Sequence, residues 1–324
     1  MKLKEWDEDS VDMDVSHCGI CGSDIHTLDS DWSATQYPIC VGHEIVGKVT
    51  RVGKNVKNLV VGDRAGVGAQ SGSCGECTHC KEGLENVCFN GSVGTYNGRW
   101  SCGTPSSGGY ANKWRGDYRF AFKIPDNLPS EVAATFFCAG VTTYAPLKRS
   151  NVGPNSVVGV MGIGGLGHFG ILWAKAMGAK VIGMSHNDNK IEIAKELGCD
   201  DYINTSSDES MAKHKKQLTH ILCTGTSPDF QWNRYFTLIK ANGHFINVSA
   251  PGWDFPQVGM ELIRHQVNIT GSLIGSPSEI EDMLEFAAKH NIRPWIDVLP
   301  MKDINKVIED FRAGKPRFRF VLEN

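Results

Sequence analysis

The sequence predicts an α/β protein with two domains, one rich in β-strands and one built as a doubly wound parallel sheet. With 324 residues, the chain is long enough for two separate cores. Residues 1–70 alternate short apolar runs with turn signals such as Gly62-Asp63, a pattern typical of β-structure. After Pro154, continuous apolar runs alternate with helical patterns, which is typical of a parallel sheet. We expect a first domain, a second domain and a return to the first over residues 1–137, 138–273 and 274–324.

Composition and charge exclude several classes of partner. The formal net charge of −3 offers no basic surface for nucleic acid. The chain has no apolar run of membrane-spanning length, and its first residues lack the apolar core of a signal peptide. Eleven cysteines without an export signal are typical of a reducing compartment, where thiols serve metal binding or catalysis. We therefore expect a cytoplasmic protein without nucleic-acid or membrane partners.

The first motif that carries chemistry spans residues 17–26, in the order His-Cys-Gly-Ile-Cys-Gly-Ser-Asp-Ile-His. With His43 and Glu44 it offers thiols, an imidazole, a carboxylate and a hydroxyl. Two cysteines and one histidine suit zinc and leave a fourth position open for water or a substrate oxygen. The best candidate for the third ligand is Cys138, at the end of a helix predicted to carry Ala133 to Phe137. The alternatives are buried thiols beside a core histidine, a redox Cys-x-x-Cys pair, or half of a structural zinc site.

A second cysteine cluster is confined to one polar, glycine-rich loop. Its members follow the spacing Cys-x2-Cys-x2-Cys-x7-Cys: Cys74, Cys77, Cys80 and Cys88. Four thiolates in one loop can hold one tetrahedral ion as a closed structural zinc site. An iron–sulfur cluster also takes four cysteines, but this loop offers little apolar cover for a redox cluster. We predict a structural zinc ion here, and therefore two zinc ions per chain.

The glycine-rich segment after residue 161 predicts a dinucleotide site. The buried strand Val157–Met161 runs into a glycine-rich turn, and a helix and a second strand, Lys180–Ser185, follow. This order is the context that the G-x-G-x-x-G fingerprint of a Rossmann domain requires. The glycines let the backbone approach a pyrophosphate at the helix N-terminus. The predicted cofactor-binding residues of the turn are Gly162, Gly164, Gly165, Leu166 and Gly167.

The end of the second strand favours NADP(H) over NAD(H). An NAD enzyme usually places a carboxylate there, which accepts a hydrogen bond from the ribose 2′-hydroxyl. This chain instead has Ser185, His186 and Lys190, whose hydroxyl, imidazole and ammonium groups suit a 2′-phosphate. Asp188 lies three residues past the strand end, and we expect it to face water.

The rest of the chain continues the alternating pattern. We expect strands over 220–223, 244–248 and 269–272, and a helix through 236–240. Apolar residues recur at helical spacing between Pro277 and His290. The last apolar run, Phe318 to Leu322, reads as a strand that returns to the first domain.

With these motifs in view, the chain resembles the zinc-containing medium-chain dehydrogenase/reductase superfamily, and most of all its NADP-dependent cinnamyl alcohol dehydrogenase branch. The similarity covers nearly the whole chain. The segments that carry it are Cys21-Gly22-Ser23-Asp24-Ile25-His26, Gly42-His43-Glu44, the four-cysteine loop, Cys138-Ala139-Gly140-Val141-Thr142, Gly162 to Gly167, and Arg319-Phe320. The resemblance implies a GroES-like fold for the β-rich domain and a zinc-dependent alcohol dehydrogenase or aldehyde reductase. Its expected substrates are primary alcohols and aldehydes, cinnamyl-alcohol-like or medium-chain, and we expect a homodimer.

The resemblance also implies roles for individual residues. The ligands of the catalytic zinc would be Cys21, a choice over Cys18 that the spacing leaves open, with His43 and Cys138. Glu44 would lie beside the metal as an alternate or supporting ligand. Ser23 would hydrogen-bond the substrate oxygen, and His26 would pass the proton to solvent by way of the cofactor ribose. Positions that match residues touching the cofactor in such enzymes are Thr142, Ser185, His186, Lys190 and Arg319.

Two other functions remain open, and one feature departs from the family. A polyol dehydrogenase commonly supplies a carboxylate as third zinc ligand, and Cys138 speaks against it. A non-catalytic zinc- and nucleotide-binding relative would have no need of Ser23 and His26. The family normally carries a further strand-rich segment before the position of Met1, so we expect either a truncated N-terminus or a short gene model.

Overall fold

The computed structural model of the chain describes residues 2–227, 229–250 and 259–324. Its strands are β1 (Ser10–Gly19), β2 (Glu44–Val52), β3 (Arg64–Val67), β4 (Gln70–Gly72), β5 (Val93–Gly94), β6 (Lys113–Asp117), β7 (Phe122–Lys123), β8 (Val157–Met161), β9 (Lys180–Ser185), β10 (Asp201–Asn204), β11 (Leu218–Cys223), β12 (Ile239–Asn247), β13 (Asn268–Gly271), β14 (Ile296–Pro300) and β15 (Arg319–Glu323). Its α-helices are α1 (Gly22–Asp29), α2 (Thr78–Lys81), α3 (Ser130–Ala134), α4 (Ala139–Arg149), α5 (Gly165–Ala176), α6 (Ile191–Glu196), α7 (Asp208–Lys213), α8 (Trp232–Phe236), α9 (Gly259–His265), α10 (Pro277–His290) and α11 (Ile304–Arg312). Short 3₁₀ turns cover Glu85–Val87, Tyr118–Phe120, Thr135–Phe137, Asp188–Lys190 and Met301–Asp303.

The chain forms two compact units. The first contains residues 1–141 and 274–324, and the second contains residues 142–273. The predicted first boundary, before Cys138, differs from this division by the few residues up to Val141. Within the described ranges, no helix is long and apolar enough to cross a membrane.

The first unit is organised around β1. Among the described residues its main sheet has seven strands in the order β14-β15-β1-β2-β3-β7, with β6 also paired to β1. Strand β1 pairs antiparallel with β2, with β6 through Ser10–Asp14, and with β15 through His17–Gly19. Alternate residues Val11, Met13 and Val15 are buried in the core, as expected for a strand with one covered face. Strand β1 ends at Gly19, and Cys21 follows two residues later at the start of α1.

Helix α1 corrects the prediction of an all-β start. The residues after Cys21 form an eight-residue helix with only Asp24 and Ile25 buried. So short a helix with two buried residues has no apolar stripe from which a helical period could be recognised. Ser23 and His26, two predicted functional residues, therefore lie on a helix and not on a loop.

The second unit is a doubly wound parallel sheet. In its described part the strand order is β10-β9-β8-β11-β12-β13, and neighbouring strands run parallel. Counted from β8, this is the 3-2-1-4-5-6 order of the dinucleotide-binding Rossmann fold. The predicted fold class, a β-rich domain with a Rossmann domain, is confirmed.

One predicted element of this unit is wrong. The helix expected through residues 236–240 ends at Phe236, and Ile239 begins β12. Ile239 is fully buried and pairs with Leu218 of β11. A short, mostly apolar run such as residues 236–239 is compatible with either a buried helix or a buried strand, so periodicity alone could not decide between them.

Candidate active site

Three separate parts of the first unit bring metal ligands to one place. Cys21 is the N-cap residue of α1, His43 directly precedes β2, and Cys138 follows the 3₁₀ turn Thr135–Phe137 that extends α3. The Sγ atoms of Cys21 and Cys138 lie 3.9 Å apart. Together with a carboxylate oxygen of Glu44, the ligand atoms of this group all lie within 4.8 Å of one another.

This donor set fits a zinc ion. His43 is 2% exposed and Glu44 is fully buried. Among the described residues, Nε2 of His43 and Oε2 of Glu44 nevertheless have no hydrogen-bond partner. A buried polar atom without a partner destabilises the fold, and a metal–ligand bond would offset that cost. Two thiols and an imidazole are donors that zinc takes in catalytic sites, with one position left open.

Burial and mutual contacts shift the pKa values of the four candidate ligands in different directions. The contact with Cys138 holds the pKa of Cys21 well below its usual range, whereas the same contact and burial hold that of Cys138 well above it. Burial opposes a charged His43, but the Asp24 carboxylate outweighs it and raises the pKa of the imidazole. Burial also raises the pKa of Glu44 to about 7, with Arg319 acting in the opposite sense. Metal ligands must be deprotonated, so a bound zinc ion would displace the protons that these buried groups share.

Asp24 connects the two ligand-bearing segments. Its fully buried carboxylate accepts hydrogen bonds from the backbone N–H groups of Cys21 at 2.9 Å and Gly42 at 3.0 Å. It also accepts from the Tyr110 hydroxyl at 2.9 Å and lies 2.9 Å from Nδ1 of His43. With Nδ1–H donated to a carboxylate, the Nε2 lone pair of His43 is left for the metal.

Glu44 and Arg319 form a buried ion pair. The Arg319 Nη2 donates to Oε1 of Glu44, and both side chains are buried. Gly19 gives this carboxylate its space, since a Cβ at that position would lie 1.9 Å from Oε2 of Glu44. The predicted contact of Arg319 with the cofactor stays a prediction, as does that of Thr142 in α4.

Ser23 and His26 occupy one face of α1, because they lie three residues apart on a helix. The Ser23 Oγ is 3.7 Å from Sγ of Cys21. Nδ1 of His26 lies 2.8 Å from Oδ2 of Asp31, and the His26 ring stacks on Trp32 with centroids 4.7 Å apart. The His26 side chain is 46% exposed, so it can exchange protons with solvent.

The four-cysteine loop also fits a zinc ion. The Sγ–Sγ distances run from 3.4 Å between Cys74 and Cys88 to 3.9 Å between Cys77 and Cys88. Tetrahedral zinc with Zn–S bonds of about 2.3 Å places its sulfurs about 3.8 Å apart. His79 supports the loop, since its Nδ1 donates to the Val87 carbonyl at 2.6 Å, next to Cys88. A hydrogen bond from the backbone of Cys80 is the main cause that lowers the pKa of Cys77, to about 6.

Three glycines of the turn after β8, Gly162, Gly164 and Gly167, have different structural surroundings. Gly162 has a φ of +87°, which disfavours any side chain. A Cβ at Gly167 would lie 1.7 Å from the Gly162 carbonyl oxygen, so only glycine lets α5 pack against the turn. A Cβ at Gly164, the N-cap of α5, would meet nothing within 4 Å, which leaves open space where a pyrophosphate could approach. The Thr224 hydroxyl braces the turn, because its single proton is shared between the carbonyl oxygens of Met161 at 2.7 Å and Gly162 at 3.0 Å.

Comparison with known proteins identifies the family. The family model for the alcohol dehydrogenase GroES-like domain matches residues 7–126, and that for the zinc-binding dehydrogenase matches residues 165–289. NADP-dependent alcohol dehydrogenase C 1 of Mycolicibacterium smegmatis is 41% identical over 314 residues, which cover 97% of this chain and 90% of that protein. The chain belongs to the zinc-containing medium-chain dehydrogenase/reductase superfamily.

Solved structures of this superfamily have the same fold. A cinnamyl alcohol dehydrogenase from Sorghum bicolor is similar with a TM-score of 0.94 at 32% identity, over 100% of this chain and 92% of that chain. A cinnamyl alcohol dehydrogenase from Helicobacter pylori, complexed with NADP(H), has a TM-score of 0.88 at 35% identity, over 98% of this chain and 90% of that chain. These similarities confirm the resemblance to the cinnamyl alcohol dehydrogenase branch.

The superfamily motifs account for the predicted ligands but not for the residues around them. The structure gathers both predicted zinc groups, and it excludes Cys18 from the described metal groups. Ser185 is the last residue of β9, His186 is exposed, and Lys190 ends a 3₁₀ turn. Supporting residues that sequence reasoning missed are Asp24, Tyr96 and Tyr110 near His43, Asp31 at His26, and Thr224 at Gly162.

Cys77→Ser should destabilise the chain more than it impairs the chemistry. A structural zinc contributes folding free energy directly, so its loss should lower the melting temperature by roughly 10 °C. Scanning calorimetry with zinc analysis checks this, and the exposed Cys102→Ser provides a matched control that should change neither value. An unchanged zinc content in Cys77→Ser, or iron in place of zinc, would rule out this structural site.

Proposed function

We propose that the chain is an NADP(H)-dependent zinc alcohol dehydrogenase that interconverts primary alcohols and aldehydes, including cinnamyl-alcohol-like and medium-chain substrates. The observation that carries the proposal is the buried donor set of Cys21, His43 and Cys138 with a serine hydroxyl beside it. A cysteine as third donor supports an alcohol dehydrogenase over a polyol dehydrogenase. The expected homodimer stays a prediction, which sedimentation analysis would check.

The metal and the nicotinamide supply the chemistry that side chains cannot. Zinc, when bound by the donor set, acts as a Lewis acid on a carbonyl or hydroxyl oxygen. A bound nicotinamide gives or takes the hydride, while the protein supplies position and charge. Asp24 keeps the Nε2 lone pair of His43 directed to the metal position, and the Glu44–Arg319 pair holds opposite charges in the same buried region.

Ser23 and His26 supply the two ends of the proposed proton path, and the cofactor ribose would join them. The Ser23 hydroxyl both accepts and donates, so it can hold the substrate oxygen and relay its proton without retaining it. An imidazole can take up and release a proton in neutral water, which makes His26 the terminal carrier. Asp31 fixes the Nδ1 side of that ring at 2.8 Å and leaves Nε2 for the exchange.

Steady-state assays test the proposed activity. The purified, zinc-loaded chain should reduce a panel of aromatic and medium-chain aldehydes, with NADPH preferred to NADH, and a chelator should abolish the reaction. Reduction of ketoses alone would favour the polyol dehydrogenase. Binding of zinc and NADPH without turnover of any substrate would favour the non-catalytic relative.

Ser185→Asp should shift the cofactor preference toward NADH. A carboxylate at the end of β9 repels a 2′-phosphate but can accept a hydrogen bond from a 2′-hydroxyl. Hydrogen bonds to charged groups contribute about 1.5–3 kcal/mol, so the ratio of kcat/KM for NADPH over NADH should fall at least about tenfold. Ser278→Asp adds the same charge at an exposed position of α10 and should leave the ratio unchanged. Equal losses with both cofactors in Ser185→Asp would contradict the assignment.

A further inference from the structure

The loop after β9 contains one carboxylate among polar and basic side chains. Asp188 lies between Asn187 and Asn189, with His186 and Lys190 farther out on either side. A carboxylate in this loop would repel a 2′-phosphate, and it could instead accept a hydrogen bond from the 2′-hydroxyl of NADH. Preference for the phosphate therefore depends on where the Asp188 carboxylate points.

The carboxylate points toward β10. Oδ1 of Asp188 accepts a hydrogen bond from Nδ2 of Asn204 at 2.9 Å. Asn204 is the register partner of Ser185 in the parallel pair β9–β10, so its amide lies beside the strand end that begins the loop. The amide is itself fixed, because its Oδ1 accepts from the backbone N–H of Ser206 at 3.0 Å. Asn204 is thus held at both ends of its side chain.

A cavity next to β10 indicates the same orientation. The cavity measures about 650 Å³, and Asp188, Tyr202 and Asn204 line it together with residues of α6 and α7. Ser185, His186 and Lys190 are not among its lining residues. Asp188 therefore faces the cavity together with its hydrogen-bond partner Asn204. The Tyr202 hydroxyl donates to the Asn187 carbonyl and ties the loop down next to Asp188.

We propose that Asn204 is a positioning residue for cofactor choice, which holds the Asp188 carboxylate away from the 2′-phosphate of NADP(H). The inference rests on the proposed function, because it deepens the assignment of Ser185, His186 and Lys190. Without the Asn204 amide, the carboxylate is free to turn toward the phosphate. Two like charges brought together at the protein surface should weaken NADPH binding about tenfold, whereas NADH, which lacks the phosphate, escapes the penalty.

A double-mutant cycle tests this role. The dissociation constants of NADPH and NADH are measured by fluorescence titration of the full zinc-loaded chain, so no turnover is needed. Asn204→Leu removes the donor at similar volume and should weaken NADPH about tenfold, with NADH bound equally well or more tightly. In an Asp188→Asn background no carboxylate remains to be released, and Asn204→Leu should then change neither constant. Asn189→Leu, in the same loop, is the control that should leave both cofactors unaffected.

A second variant keeps the test possible if Asn204→Leu folds poorly. Asn204→Asp keeps the acceptor for Ser206 but opposes Asp188, and it should also weaken NADPH. Adding Asp188→Asn restores an amide–carboxylate pair, now with the amide at position 188 and the carboxylate at position 204. This double variant should recover NADPH binding. Equal weakening of both cofactors, or an NADPH loss that persists with Asp188→Asn, overturns the inference alone. Preference of the unaltered chain for NADH overturns the proposed cofactor as well.

Discussion

Cys138→Ser should lower the zinc content from two ions per chain to one and remove turnover with it. A serine hydroxyl stays protonated near neutral pH and is a poor zinc ligand, so the catalytic site would keep Cys21 and His43 with only Glu44 in reach. Because the metal contributes several kcal/mol to stabilisation of the developing charge, kcat should fall by at least about a thousandfold. Elemental analysis and steady-state kinetics on the same preparation measure both effects.

The matched control for this loss is Cys18→Ser. Cys18 lies in the same motif and is fully buried, but its thiol donates to the neighbouring Gly19 carbonyl at 3.6 Å and belongs to neither metal group of the described residues. Burying a hydroxyl there should lower stability by about 1–3 kcal/mol while both zinc ions stay bound. Loss of the catalytic zinc in Cys18→Ser, with zinc retained in Cys138→Ser, would reverse the ligand assignment.

The ligands could be predicted from sequence because zinc sites use local spacing and a small set of residue types. Asp24 could not, although it stands in the middle of the motif. Its role comes from partners 18 and 86 positions away, Gly42 and Tyr110, and only the fold brings them together. The same holds for the Glu44–Arg319 pair, whose members lie 275 positions apart.

The second unit was more predictable than the first for a physical reason. Parallel strands buried on both faces read as continuous apolar runs, and β8 and β9 have the bounds that were predicted. The turn between β8 and α5 has its own glycine signature. The contact of Thr224 with Gly162 has none, because a threonine after a strand is common and its hydroxyl acts on a turn 62 positions earlier.

Ser23→Ala should remove most turnover while zinc and NADPH remain bound. Alanine can neither hold the substrate oxygen nor pass on its proton, and general acid–base steps contribute about 10²–10⁴ in rate, so we expect a loss of about a hundredfold or more. His26→Gln should lower turnover only about tenfold. The carrier at the end of a relay sits where water can replace it, and the His26 side chain is 46% exposed.

The two losses should also respond differently to an added base. Imidazole in solution should restore much of the activity of His26→Gln but none of that of Ser23→Ala, because it can replace a terminal carrier at the surface and not a hydroxyl beside Cys21. The turnover of Asp31→Asn should lie between that of the unaltered chain and that of His26→Gln. The substitution keeps the His26 imidazole and only weakens the 2.8 Å contact that orients it. Turnover and its pH profile, with zinc content and NADPH affinity as controls, measure these effects. Full turnover of His26→Gln across the pH range would mean that the proton leaves Ser23 by another route, and that His26 merely pairs with Asp31 and stacks on Trp32.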